Sequence, residues 1–207
     1  MRLWRISSHA DLSGRGGLVV DGRWHQKGNP VVYCCDHPST ALLEILVHMD
    51  KSRIPPNFQL LGIECPDRIE VFNDTAASRL ELSQTETTVL EQIARGYSAN
   101  AIAANPGVSR ATIDGYFRAF SSKRTSPLSR NDAQWISGIM NAPSIALDVS
   151  QAIGTALLQD RRFPLIRVRS AVMPAAWNYL INPLHPDCAD IAIAETIEYP
   201  FDSRLLR

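Results

Sequence analysis

Cysteine is scarce in this chain. Four occur among 207 residues, Cys34, Cys35, Cys65 and Cys188, and no two have C-x-x-C spacing. That excludes the usual zinc-ribbon and dithiol redox patterns, and no metal site is expected. No leader-like segment opens the chain, so a disulfide framework is not expected either, and the four read as reduced core thiols. Long hydrophobic runs are also missing. None approaches the roughly 18 apolar residues that a membrane-spanning helix needs, so the expectation is a cytoplasmic protein with no membrane role. Net charge is absent as well: 21 Lys and Arg balance 21 Asp and Glu. A balanced total gives no general attraction to nucleic acid or to an anionic surface, so any such contact must rest on a local patch. What remains is a composition 45% hydrophobic and 20% charged, which suits a folded globule. The length fits one medium domain, or one domain carrying a small insert, and buries roughly 70% of the unfolded surface.

Three textures follow one another along the chain. In residues 1 to about 80, Leu3–Ile6 reads as a strand, and Leu12 to Gly17 reads as a glycine-punctuated loop. Val31 to Cys35 is a β-rich apolar run of the kind found inside a sheet. Pro38 suits the first turn of a helix, and Ala41, Leu42, Ile45 and Leu46 give that helix an apolar stripe. Leu60 to Cys65 reads as a further strand, closed by Pro66-Asp67. From about Trp135 onward the texture is again mixed, with a helix over Ser150–Gln159 and strands over Leu165–Val168 and Ile191–Ala194.

Between these stretches the pattern becomes helical. Ser83 and Glu86 form a capping box, in which each side chain satisfies the other's free backbone N–H. Val89, Leu90, Ile93 and Ala94 make one helix face, and Gly96 is placed to end it. Ser98 can cap a short second helix. After Asn105-Pro106-Gly107, Ser109 can cap a third whose inner face is Ile113, Phe117 and Phe120. This order of elements matches helix-turn-helix grammar.

Several residues carry candidate chemistry, each beside a plainer reading. In Gly22-Arg23-Trp24-His25, a glycine lets backbone approach a ligand while a planar cation grips phosphate or carboxylate. The same residues could form a solvated turn anchored by Trp24. Thr40, Glu44 and His48 recur every four residues and share a helix face. That face could be the wet side of the helix, or Glu44 could stabilise an oxocarbenium-like sugar cation. Tyr33 suits a core position whose hydroxyl needs a partner. Ser170 follows a strand without a G-x-S-x-G elbow, so it suits a hydrogen-bonding hydroxyl better than a hydrolase nucleophile. His185 has no metal-spaced histidine partner and fits a turn.

The order and wording of these signals resemble one family. Gly22-Arg23-Trp24-His25, then Gly28-Asn29-Pro30-Val31-Val32-Tyr33, then Ala41 to His48, resemble the first half of RES-domain toxins. Ser170 to Pro174, Asn178-Tyr179-Leu180-Ile181-Asn182-Pro183, His185-Pro186-Asp187 and Pro200 to Leu205 resemble the second half. The family's Arg, Glu and Ser fall on Arg23, Glu44 and Ser170, with Tyr33 and Asn178 as further NAD⁺-binding positions. The resemblance implies an α+β fold of ADP-ribosyltransferase-like character. It also implies cleavage of the nicotinamide–ribose bond of NAD⁺, which is substrate rather than cofactor, with water (glycohydrolase), phosphate (phosphorylase) or a protein (ADP-ribosyltransferase) as the acceptor of ADP-ribose. In that reading Arg23 holds phosphate, Tyr33 positions the nicotinamide side, Glu44 stabilises developing positive charge and Ser170 fixes the substrate. An Xre-type antitoxin on another chain is the implied partner, and a homodimer is compatible. The chain departs from the family pattern at Arg169, where proline is usual, at Leu157, where tryptophan is common, and at His25, where asparagine is frequent.

The middle segment, Leu82 to Lys123, resembles the helix-turn-helix of LuxR-type regulators. The expected organisation is therefore a first catalytic half over 1–81, an all-helical insert over 82–133 and a second half over 134–207. From 110 to 130, five basic residues face the single acid Asp114, a local excess of four positive charges that suits phosphate contact. Arg110, Thr112 and Arg118 are its candidate DNA contacts. A helical surface for dimerisation or antitoxin contact is the plainer reading. The rival functional class is a DNA-binding regulator whose catalytic-looking part serves as ligand sensor or scaffold.

Overall fold

The computed structural model describes residues 1–48, 58–73, 147–173, 175–198 and 202. The helix-turn-helix reading of 82–133, with Arg110, Thr112 and Arg118, lies outside the described residues. So does His48's side chain.

Strands β1 (Arg2–Ser7), β2 (Val32–Cys35), β3 (Gln59–Glu64) and β4 (Val71–Phe72) come from the first stretch. The second supplies β5 (Leu165–Arg169), β6 (Trp177–Ile181) and β7 (Ala192–Glu198). They form a seven-stranded mixed sheet in the order β4-β5-β6-β2-β1-β3-β7. The β4–β5 pair is parallel and the other neighbours are antiparallel. Three of these seams, β4–β5, β2–β6 and β3–β7, join residues before 74 to residues after 146. The two distant stretches therefore complete one hydrogen-bonded sheet.

Period-two alternation sorts the side chains onto two faces. One face buries Leu3, Val32, Cys34, Leu61, Ile63, Leu165, Tyr179 and Ile181 as a single apolar cluster. The cysteines contribute small apolar volume there. Burial pushes the Cys34 thiol up to about 12 and Cys65 to about 11, so both stay protonated and neither is a ready nucleophile. On the opposite face, helix α2 (Pro38–His48) covers Ile6, Cys35, Trp4 and Leu60 with Ala41, Leu42 and Ile45. That matches the apolar stripe read from the sequence.

Boundaries shift by one to three residues at several elements. The helix expected from Ser150 begins at Leu147 and runs to Asp160; it is α3. The stretch Leu12 to Gly17, expected to be loop, gives way to a four-residue helix α1 (Gly16–Val19). The last strand lies over Ala192–Glu198 rather than Ile191–Ala194, because its pairing with β3 extends past a bulge at Gly62/Ile63. Among the described residues no helix is long and apolar enough to cross a membrane.

Asn182 ties the end of β6 to α3. Its side chain is fully buried, and its Nδ2 donates to the Leu158 carbonyl at 2.8 Å while its backbone N–H donates to the Pro164 carbonyl. Asn182→Ala strands the Leu158 carbonyl. It is expected to cost about 1–3 kcal/mol, read as a lower urea midpoint with unchanged slope.

Candidate active site

Glu44 sits on α2 above the sheet face that carries Tyr33, Cys35 and Asn178. The register explains the grouping: Cys35 pairs with Asn178 and Tyr33 with Leu180, so Tyr33, Cys35 and Asn178 share one face of neighbouring strands. Glu44's negative charge raises the pKa of both Tyr33 and Cys35, as a nearby carboxylate should, though burial is the larger cause at each. Thr40, one turn earlier, is buried too. The face shared by Thr40 and Glu44 is therefore not the wet side of the helix.

The carboxylate is held asymmetrically. Oε1 accepts from the Ser170 hydroxyl at 2.6 Å and from Asn178 Nδ2 at 2.7 Å. Oε2 accepts no hydrogen bond from the described residues. Ser170 is 4% exposed and is itself fixed, because its Oγ accepts from the Val172 and Met173 backbone N–H groups at 3.2 and 3.0 Å. Its backbone N–H bonds the Ala176 carbonyl across the same tight turn. Asn178, 8% exposed, gives its nitrogen to Glu44 and leaves Oδ1 buried without a hydrogen bond from the described residues. A charge-assisted pair of donors on one oxygen fixes the rotamer of a carboxylate and leaves the other oxygen without a donor from the described residues.

Arg23 arrives from a different direction. It is half-buried in the loop between α1 and β2, and its carbonyl accepts from Ser150 Oγ at 2.7 Å. The loop is closed on itself by the Gly22 N–H donating to the His25 carbonyl, and it is seated on α3. Gln151 Nε2 donates to the Gly22 carbonyl at 2.9 Å, and the Gln26 N–H donates to Thr155 Oγ1 at 2.9 Å. Tyr33 holds the loop from β2. Its hydroxyl accepts from the Trp24 N–H at 3.0 Å and lies 2.9 Å from His25 Nδ1.

Of the residues singled out in the sequence, Glu44, Ser170 and Asn178 meet directly, and Tyr33 holds the loop that carries Arg23. His185 lies elsewhere. It caps a short 3₁₀ helix, Pro186–Asp190, where its Nδ1 accepts from the Asp187 N–H. Among the described residues no group of three or more His, Cys, Asp or Glu is arranged to hold a metal ion. The contribution of α3 is not apparent in the sequence motifs. Ser150, Gln151 and Thr155 reach the arginine loop from one side of the helix, and Gly154 lets the loop backbone touch that helix. An interior glycine, costly in a helix unless something approaches closely, was the available signal.

The RES domain family profile matches residues 2–109 and 83–202. The chain belongs to the RES domain family. One RES relative, Toxin Res of Pseudomonas putida, is 33% identical over 207 residues and aligns over 99% of both chains. The Prs ADP-ribosylating toxin of a Sphingobium species is 26% identical over 210 residues, covering 99% of this chain and 96% of its own. Toxin Res of Photorhabdus laumondii is 36% identical over 81 residues, 38% of this chain and 52% of its own. The Pseudomonas alignment runs through residues 82–133, so the segment read as helix-turn-helix is no addition peculiar to this RES domain chain.

Proposed function

We propose that this protein is a toxin that breaks the bond between nicotinamide and ribose in NAD⁺. One observation carries the reading: Glu44 is gripped through a single oxygen by Ser170 and Asn178, which leaves Oε2 to face a substrate. As the bond from ribose C1′ to the pyridinium nitrogen breaks, nicotinamide leaves with the electron pair and becomes neutral. Positive charge then grows on C1′ and the ring oxygen, where a fixed carboxylate stabilises it. Attack on C1′ by water gives ADP-ribose and a proton. Attack by a protein side chain gives an ADP-ribosylated protein.

Arg23 suits the pyrophosphate, because a guanidinium binds phosphate oxygens in pairs. Asn178 Oδ1, an acceptor without a described partner, suits a hydroxyl or amide donor of the nucleotide. Ser170 enters this scheme as a positioning residue, since its hydroxyl proton is committed to Glu44. The name of the Sphingobium relative favours a protein acceptor over water, and the toxin names favour pairing with an antitoxin that blocks the site. The organisation proposed is two catalytic stretches flanking a helical segment over 82–133.

Incubation of the full-length protein with NAD⁺, with and without cell lysate, tests the reading. Release of nicotinamide is expected, with the mass of the second product distinguishing free ADP-ribose from a modified protein. Folded protein that releases no nicotinamide under either condition sinks the proposal.

A further inference from the structure

His25 is 3% exposed, and its imidazole fills the space between α1, the arginine loop and β2. Three observations bear on its state. Nδ1 lies 2.9 Å from the Tyr33 hydroxyl, and that hydroxyl oxygen already accepts from the Trp24 N–H. The Nε2 edge rests against Gly17. Nε2 makes no hydrogen bond of good geometry among the described residues, yet the Gly17 and Val20 carbonyls lie close enough to favour a proton on the ring. Finally, Gly22 is bare where it meets this pair. A Cβ there would lie 2.5 Å from His25 Nδ1 and 2.6 Å from the Tyr33 hydroxyl.

Of the two neutral tautomers, one fits these contacts better. A ring nitrogen close to carbonyls favours carrying the proton, because a lone pair there would be repelled. Nε2 is then the N–H nitrogen and Nδ1 the acceptor. Tyr33 therefore donates its only proton to His25 Nδ1 and receives the Trp24 N–H on its oxygen. Both capacities of the phenol are spent on the loop. In this arrangement Tyr33 has no hydroxyl proton left for a ligand.

We infer that His25 is a positioning residue for the proposed NAD⁺ reaction: as a neutral acceptor it orders the Tyr33 hydroxyl, which holds the loop presenting Arg23. The inference rests on the NAD⁺ reading for its kinetic consequence but not for its structural one. Burial lowers the pKa of His25 below the ordinary 6.5, against smaller opposing effects of the Val20 and Gly17 carbonyls and of Asp21. From β2 the facing titratable group is Tyr33, and beyond it Glu44. From α3 the residues that touch the loop are Ser150, Gln151, Gly154 and Thr155, none of which titrates. The sign follows. Neutral His25 is favoured above pH 6.5, and its contribution to the folded loop is lost as pH falls through the lower folded value. Once protonated, Nδ1 becomes a donor, and the Tyr33 oxygen faces two donors with its own proton displaced.

The test pairs three measurements on the full-length chain. Nitrogen-15 NMR at neutral pH should find His25 with a protonated Nε2 and a bare Nδ1; a protonated Nδ1 overturns the inference. His25→Ala should raise KM for NAD⁺ about tenfold while kcat changes less than about threefold, the signature of lost loop placement. His25→Asn can offer a carbonyl to Tyr33 and an amide N–H to Gly17 or Val20 without titrating. It should bring KM back to within about threefold of the natural protein and flatten the rise of KM below pH 6.5. If His25→Asn keeps the acid rise unchanged, or fails to restore KM, His25 is not the positioning group. Should a Glu44 variant cleave NAD⁺ as fast as the natural chain, the NAD⁺ reading fails separately, and the NMR result still decides the tautomer.

Discussion

Glu44→Gln is expected to lower nicotinamide release from NAD⁺ by roughly 10²-fold or more, through kcat rather than KM. The substitution is close to isosteric. Glutamine's Oε1 can still accept from Ser170 and Asn178, so the grip on the side chain survives while the outward-facing carboxylate oxygen becomes an amide nitrogen. What disappears is a full negative charge. Opposite a ribosyl cation about 5 Å away, with an effective dielectric of about 20, that charge is worth about 3 kcal/mol. Each 1.36 kcal/mol changes a rate about tenfold, which gives the figure above. Ser170→Ala should cost less, about tenfold, since it removes one of two donors and leaves the charge in place. Steady-state nicotinamide release with each variant measures both effects. A Glu44→Gln protein with the natural kcat would remove Glu44 from the chemistry.

Much of the scaffold around that carboxylate was legible in the sequence, for physical reasons that can be named. The run Val31 to Cys35 sits in the sheet because β-branched and small apolar residues suit a strand covered on both sides. Pro38 starts α2 where its missing N–H costs nothing, and the Ala41, Leu42 and Ile45 stripe docks on Ile6 and Cys35. Two strands escaped. Trp177 to Ile181 lies at the heart of the sheet as β6, but Asn178 breaks its apolar run, and that polar residue is present because Glu44 needs its donor. Val71–Phe72 is two residues long, below any periodic signal. The face of Glu44 was ambiguous at helical spacing, since a carboxylate beside solvent and one clasped by buried donors look identical in one dimension. Only the return of residues 170–178 to the same sheet resolves it, and that is a contact across more than 120 positions. The His25–Tyr33 pair escaped for a related reason: the sequence names both residues but not the proton between them.

Gly154→Ala sets two magnitudes against each other and is expected to be destabilising. Helix propensity alone favours alanine in a helix interior by about 1 kcal/mol. Here, however, an added Cβ would stand 1.8 Å from the Trp24 carbonyl oxygen and 2.8 Å from its carbon, against backbone rather than a side chain able to swing away. Ordinary contact requires the loop to retreat by about 1.5 Å, and overpacking of that kind costs about 1–3 kcal/mol or more. The clash therefore outweighs the propensity gain. The retreat also strains three hydrogen bonds that seat the loop on α3: Ser150 to the Arg23 carbonyl, Gln151 to the Gly22 carbonyl and the Gln26 N–H to Thr155. Arg23 moves with that backbone. Because a displacement of about 1 Å at a reactive site can cost about 10²-fold, kcat/KM for NAD⁺ should fall by a factor of this order even in the fraction that remains folded. Urea unfolding and NAD⁺ kinetics on one preparation separate the two effects. An alanine variant that is more stable than the natural chain, with kcat/KM intact, would mean that the arginine loop does not rest on α3 as described.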